Sequence, residues 1–216
     1  MASITRASRA QRVDKQQQVE RTLLRALEQL MDSGLSFTEV SVEQLARQAG
    51  IARSTFYIYF ADKGALVHRL ATRITEELMQ ACDGWWRIAD TAKQQDLADA
   101  MLDVLDVYDR HRSVMRALVE TSAYDSSAEA AFKELLGGVL KGSRVAYNRI
   151  HDAGRLREGV AKEVAEALTL MVDATCYQLG RGATPQRRRA LAQALAHVVW
   201  HAMYEPERVR RRNAAG

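Results

Sequence analysis

Apolar residues recur along this chain at intervals of three and four, while strict alternation of apolar and polar positions is nearly absent, so the pattern predicts helices from end to end. The first helix is expected from about Asp14 to Met31, with Val19, Leu23, Ala26, Leu27 and Leu30 on one face and Gly34 at the exit. Ser41 predicts the start of a second. Its hydroxyl can cap the helix, Gln44 completes a capping-box pattern, Leu45, Ala46 and Ala49 point inward, and Gly50 ends it. After a tight turn at Gly50, Ile51 and Ala52, a third helix runs from near Arg53 to Tyr59. Asp62 can cap a fourth, which continues through Leu66, Leu70, Ile74 and Leu78 towards Trp85 and Trp86.

Polar residues 89–95 then read as a linker. Five amphipathic segments follow, at about 96–109, 113–121, 126–152, 160–179 and 185–204. Thr184 at the cap and Pro185 at the first helical position mark the last of these. Pro185 and Pro206 are the two prolines of the chain, so little interrupts a helical course. The expected fold class is all-α: an N-terminal three-helix helix-turn-helix domain followed by a C-terminal helical domain.

Composition narrows the class without naming a function. At 216 residues, 47% hydrophobic and 27% charged, the chain can bury a substantial core. Its formal charge is +4, and the excess gathers at the ends: Arg6, Arg9 and Arg12 come before any acid, and Arg208, Arg210, Arg211 and Arg212 crowd the tail. Such arms suit an anionic partner, although a solvated terminus has the same composition. Cys82 and Cys176 are isolated, and no apolar run approaches the length that spans a bilayer or the core of a signal peptide. The expectation is a cytoplasmic protein with no membrane partner.

The informative stretch is Phe37 to Leu66, FTEVSVEQLARQAGIARSTFYIYFADKGAL. Two short helices around a glycine-containing turn make a helix-turn-helix, whose second helix can enter a major groove. Leu45, Ala46, Ala49, Ile51, Phe56 and Phe60 are expected to form a small core. Arg53, Ser54, Thr55, Tyr57 and Tyr59 are left facing outward, a set of hydroxyls, phenols and a guanidinium suited to phosphate oxygens and base edges.

This stretch resembles the signature of the TetR family of transcription regulators, with the TFYIYF run and the following Asp62-Lys63 its most distinctive part. Within the family it is most similar to the EthR-like branch, through that core and the late helix ALTLMVDATCYQL. The resemblance implies a recognition helix at Arg53–Tyr59 and phosphate contacts from Tyr57, Tyr59 and Lys63; with Ser41, Arg53, Ser54 and Thr55 these make up the DNA-facing candidates. The hydroxyl cap common at the start of that helix is replaced by Ala52, which should cost about 1 kcal/mol locally.

The implied organisation is a flexible basic arm (1–13), a DNA-binding domain (14–62), a connecting helix (63–86), a ligand-binding and dimerisation domain (87–205) and a basic tail (206–216). Aromatic and methionine positions supply the candidate pocket: Trp85, Trp86, Met101, Leu105, Tyr108, Met115, Leu118, Tyr124, Phe132, Leu136, Tyr147, Met171 and Tyr177. The same residues also suit an ordinary core. Asp173, set in an apolar stretch, would be a polar anchor if it lies inside, but a surface or interface role is the favoured expectation for it. Leu168 and Leu179, and Leu191, Leu195, Val198 and Ala202, form two stripes expected at a homodimer interface.

The expected partners are therefore operator DNA, a second copy and a small apolar ligand, and the expected activity is ligand-responsive repression at a palindromic operator. An activator on the same scaffold and a helical sensor without DNA binding stay open. No cofactor, metal or enzyme activity is expected, because the chain has no glycine-rich phosphate loop, nucleophile elbow or HExxH motif. His197, His201 and Glu205 have helical spacing for a metal, but paired histidines on one helix face are common.

Overall fold

The computed structural model describes residues 2–123 and 125–206, with side chains from Asp14 onward except Ser127. Tyr124, the tail arginines and the side chains of Arg6, Arg9 and Arg12 fall outside the described residues. The helices follow in order as α1 (Ala2–Asp32), α2 (Val42–Gln48), α3 (Arg53–Tyr59), α4 (Lys63–Ile88), α5 (Gln94–Arg110), α6 (Arg112–Ser122), α7 (Ser126–Asp152), α8 (Glu163–Thr175) and α9 (Pro185–Met203). A π-helical turn, Cys176–Gly180, continues α8. Extended pairing among the described residues amounts to an isolated bridge between Leu156 and Tyr204. None of the described helices is long and apolar enough to cross a membrane.

Helix α1 starts at Ala2 rather than near Asp14, because residues 2–13 contain no proline or glycine to stop it. The capping box at α2 forms as its sequence predicts: the Ser41 hydroxyl accepts the Gln44 amide at 3.1 Å, and the Gln44 side chain accepts the Ser41 amide at 2.7 Å. Gly50, with φ of 66°, makes the left-handed turn into α3. Helix α9 opens on the Thr184 cap and Pro185. The segment expected at 160–179 begins later, at Glu163, after a turn in which Gly159 has φ of 76°.

The described residues divide into two compact units that do not follow chain order. The first combines those of Met1–Arg73 with Ser113–Lys133, and the second combines Ile74–Arg112 with Glu134–Gly216. In the first, Leu23, Leu27, Met31, Leu45, Phe56 and Leu66 are fully buried. Arg116 of α6 donates to the carbonyls of Met31, in the last turn of α1, and Leu35, just beyond it, at 3.3 and 2.9 Å. The buried Glu20 carboxylate pairs with Arg69 at 3.0 Å.

In the second unit α9 packs along α5. The expected linker is pinned rather than loose. Arg155 donates to the carbonyls of Asp90 and Ala92 at 2.7 and 2.8 Å, and Tyr204 donates to the carbonyl of Ala89 at 2.8 Å. The start of α9 is held to α5 by Arg188, which meets Asp106 at 2.7 Å and Asp109 at 2.9 Å and donates to the carbonyl of Ala183.

This Arg188 fork is part-buried and planar, so replacing it leaves two carboxylates facing each other. Arg188→Ala is expected to lower unfolding stability by roughly 1–3 kcal/mol, and Arg188→Lys to recover only part of that because an ammonium cannot span both carboxylates as a fork does. Urea unfolding of the two variants beside the parent checks this.

Candidate nucleic-acid interface and buried cavity

Helix α3 has seven residues, and what it hides determines what it presents. Phe56 is completely buried and Phe60 nearly so, with ring centroids 5.6 Å apart. Leu45, Ala46 and Ala49 join them as expected, while Ile51 is only half-buried. With that side fixed, Arg53 and Ser54 are exposed, Tyr57 is 46% exposed, and Thr55 and Tyr59 are half-covered. Ala52 provides no side-chain cap, as the sequence indicates. Arg53 is already oriented: it pairs with Glu43 of α2 at 2.7 Å and lies over the Tyr57 ring, 5.5 Å from its centroid.

Two findings depart from the sequence reading of this face. Ile58 is 75% exposed and is absent from the sequence candidates. The signal is present, since a residue two away from both Phe56 and Phe60 must lie off their face. Lys63, expected to reach phosphate, is instead turned onto its own chain. Its ammonium donates to the carbonyls of Phe37, Thr38 and Val40 at 3.0, 3.3 and 2.5 Å, and it lies 4.9 Å from the centre of the Phe37 ring. An ammonium has three donors, so this set uses all of them. Partial burial accordingly moves the Lys63 pKa down.

The second unit contains a cavity of about 70 Å³ that opens through a wider mouth, walled by five helices. Helix α4 contributes Leu78, Cys82, Trp85 and Trp86; α5 contributes Ala100, Met101, Val104 and Tyr108. Leu136 and Ser143 of α7, Leu168, Thr169 and Asp173 of α8, and Val199 and Met203 of α9 complete much of the wall. The Trp86 ring lies so close on α7 that a Cβ at position 142 would collide with it, so Gly142 is needed for the approach. The Trp85 indole N–H donates to Tyr204 at 3.2 Å.

Of the pocket candidates, Trp85, Trp86, Met101, Tyr108, Leu136 and Asp173 line this cavity. The other described ones do not. Met115, Leu118 and Phe132 belong to the first unit. Leu105 is buried where the π-helical turn passes it: a Cβ at Gly180 would lie 2.8 Å from its methyl. Tyr147 donates to the carbonyl of Val160, Tyr177 lies under the Arg181 guanidinium, and Met171 is half-buried outside the lining.

The dimer stripes also need correction. Leu191 and Leu195 are buried within the chain, and Leu168 faces the cavity, whereas Leu179 and Val198 are exposed and Ala202 is half-buried. Leu170, absent from the stripes, is 47% exposed. His197 and His201 stack with centroids 4.1 Å apart, and no metal-binding group of three or more acidic, histidine or cysteine side chains converges among the described residues.

Asp173 is the carboxylate that lines the cavity. Burial raises its pKa, and the hydrogen bond it accepts from Tyr108 offsets only part of that. The Cys82 thiol is pushed up to about 12 by burial, then by Asp83, so it stays protonated at neutral pH. A carboxyl with a folded-state pKa above its unfolded value binds its proton more tightly when folded. Its ionisation therefore opposes folding above that pKa and not below the unfolded one. Asp173→Asn is expected to raise the melting temperature at pH 7 by roughly 1–4 °C, with the gain shrinking as the pH falls through the raised value. Calorimetry of both proteins across a pH series measures it.

Residues 24–70 match the family model described as bacterial regulatory proteins, tetR family. The chain is 28% identical over 197 residues to the HTH-type transcriptional regulator EthR of Mycobacterium tuberculosis, covering 88% of each protein. In fold it is similar to the TetR-family transcriptional regulator PfmR of Thermus thermophilus, with a TM-score of 0.64, 17% identity, and coverage of 83% of this chain and 93% of that one. It is also similar to NalD of Pseudomonas aeruginosa, described as the secondary repressor of the MexAB-OprM multidrug efflux pump, with a TM-score of 0.64, 18% identity, and coverage of 88% and 98%. With this domain over α2 and α3, an outward-facing third helix, and likeness to EthR along most of its length, the chain is a DNA-binding transcriptional regulator similar to those of the TetR family.

Proposed function

We propose that the protein is a repressor that binds a palindromic operator as a homodimer and is released when a small, mostly apolar molecule fills the cavity of the second unit. The observation that carries this reading is the pairing, in one chain, of an outward hydroxyl and guanidinium face on α3 with an apolar cavity that opens to the surface and holds one carboxylate. Arg53, Ser54, Thr55, Tyr57 and Tyr59 are assigned to the DNA, and Ile58 beside them suits the methyl group of a thymine. Lys63 is assigned to holding the 37–40 turn rather than to phosphate.

Exposed Leu170, Leu179 and Val198 are the apolar surface offered to a second copy. Two copies match the twofold symmetry of a palindrome. Helix α4 is continuous from Lys63 to Trp86, roughly 35 Å of helical rise, and is assigned the role of lever. A ligand can act only by binding better to one spacing of the two recognition helices than to the other.

The test is fluorescence anisotropy with DNA from upstream of the protein's own gene, over a salt series, for the parent, Tyr57→Ala and Lys63→Ala. Competitor-resistant binding is expected, with Tyr57→Ala weakening it. Lys63→Ala should lower the melting temperature while leaving the slope of log affinity against log salt unchanged; a slope reduced by about one would return Lys63 to the phosphate contacts. Binding indistinguishable from that to random DNA at every genomic candidate site, with and without ligands, would remove the operator-binding reading.

A further inference from the structure

The cavity of the second unit is lined by a carboxylate and by no base. Most of its wall is tryptophan, leucine, valine, methionine and alanine, and among the described residues no lysine, arginine or histidine lines it. Two polar side chains on α8, Thr169 and Asp173, lie four residues apart and so about 6 Å along the helix. The first is already satisfied internally: the Thr169 hydroxyl lies 2.8 Å from both the Ser143 hydroxyl and the carbonyl of Ala165. The second, Asp173, accepts a hydrogen bond from the Tyr108 hydroxyl.

Tyr108 is nearly fully buried and spends its one proton on that bond. A carboxylate has about four acceptor positions, so Asp173 retains acceptor capacity that the Tyr108 bond does not use. Holding an ionised carboxylate among apolar side chains is costly unless a cation meets it. A neutral apolar ligand would strip further water from Asp173 and return nothing, and an anionic one would be repelled. A protonated amine supplies both the opposite charge and the missing donors.

We infer that the cavity takes a lipophilic amine, whose primary or secondary ammonium pairs with Asp173 while its apolar body lies against Trp85, Trp86, Met101 and Leu136. This rests on reading the cavity as the effector site and adds the class of the effector. Tyr108 acts as a positioning residue: its hydrogen bond fixes the carboxylate rotamer and leaves the other oxygen to the ligand.

The test uses the full chain at pH 7 with three molecules of equal length, n-decylamine, decan-1-ol and decanoate, each below its aggregation threshold and titrated by calorimetry. The amine is expected to bind about tenfold or more tightly than the alcohol, and the carboxylate more weakly than either. Asp173→Asn should abolish the preference for amine and keep binding of the alcohol, while Tyr108→Phe should keep the preference at reduced size. Retained alcohol binding and a melting temperature no lower than the parent's establish that the Asn variant is folded. The inference is overturned if alcohol binds as well as amine, if the amine preference survives Asp173→Asn, or if none of the three binds. Anisotropy with decylamine separates the two readings. Asp173-dependent binding that leaves DNA affinity unchanged supports the amine site and removes the effector role.

Discussion

Burial of one phenylalanine makes the outward face of α3 possible. A helix of seven residues is too short to persist by itself, because so few hydrogen bonds cannot offset the entropy of nucleating it. Phe56, with no exposure, and Phe60 behind it, anchor α3 by burial that contributes roughly 1.5–3 kcal/mol for each side chain. The same anchoring sets direction. Once positions 56 and 60 point inward, 54 and 58 have to point outward, and the Tyr57 ring is held against Phe56 in a T-shaped pair at 5.4 Å. The turn before α3 adds a second constraint, through Gly50 and the bond from the Ile51 amide to the carbonyl of Ala46. The outward face is thus fixed by residues buried behind it.

The second unit meets the opposite requirement, to leave space unfilled. Protein interiors pack closely by default, so a lasting void needs walls that cannot collapse into it. Trp85 is tied by its indole N–H to Tyr204, whose own hydroxyl is tied to the backbone at Ala89. Trp86 is seated on the bare backbone of Gly142. Helix α9, another part of the wall, is clamped to α5 by Arg188. Both tryptophans, the largest side chains that could fill the cavity, are held at its edge. Hydrogen bonds and one glycine thus keep both rings in the wall rather than in the space it encloses.

That contrast explains what the sequence could tell. Helix starts at Ser41 and Pro185, the turn at Gly50, and the inward Phe56 and Phe60 are local, and each follows from residues within four positions of it. The cavity is not local. Met115 and Met101 look alike in sequence, yet one sits in the first unit and the other lines the cavity, because residues 113–133 join the N-terminal helices. In α9 the alanines at 192, 194, 196 and 202 let the apolar stripe be read on either flank, so Leu191 and Leu195 look available to a second copy although they are buried in their own unit. Lys63 escapes sequence reasoning for a similar reason: its three carbonyl partners lie 23 to 26 residues earlier in the chain.

The two cations at the edge of α3 differ in what it would cost to recruit them. Arg53 is held by Glu43 in an exposed pair, where water and salt screen the attraction, so a phosphate or a guanine can take the guanidinium over at little cost. The Glu43 contact and the Tyr57 ring beneath it hold the guanidinium near α3 in the meantime, which removes part of the ordering cost of binding. Lys63 stands at the first residue of α4, where the helix dipole already disfavours a positive charge. What keeps it there is three carbonyl oxygens of the 37–40 turn, which it satisfies together. To reach a phosphate it would have to abandon all three and release the turn that leads into α2. Of the two, Arg53 is the cation that an anion would recruit at the lower cost, because Lys63 would have to give up more.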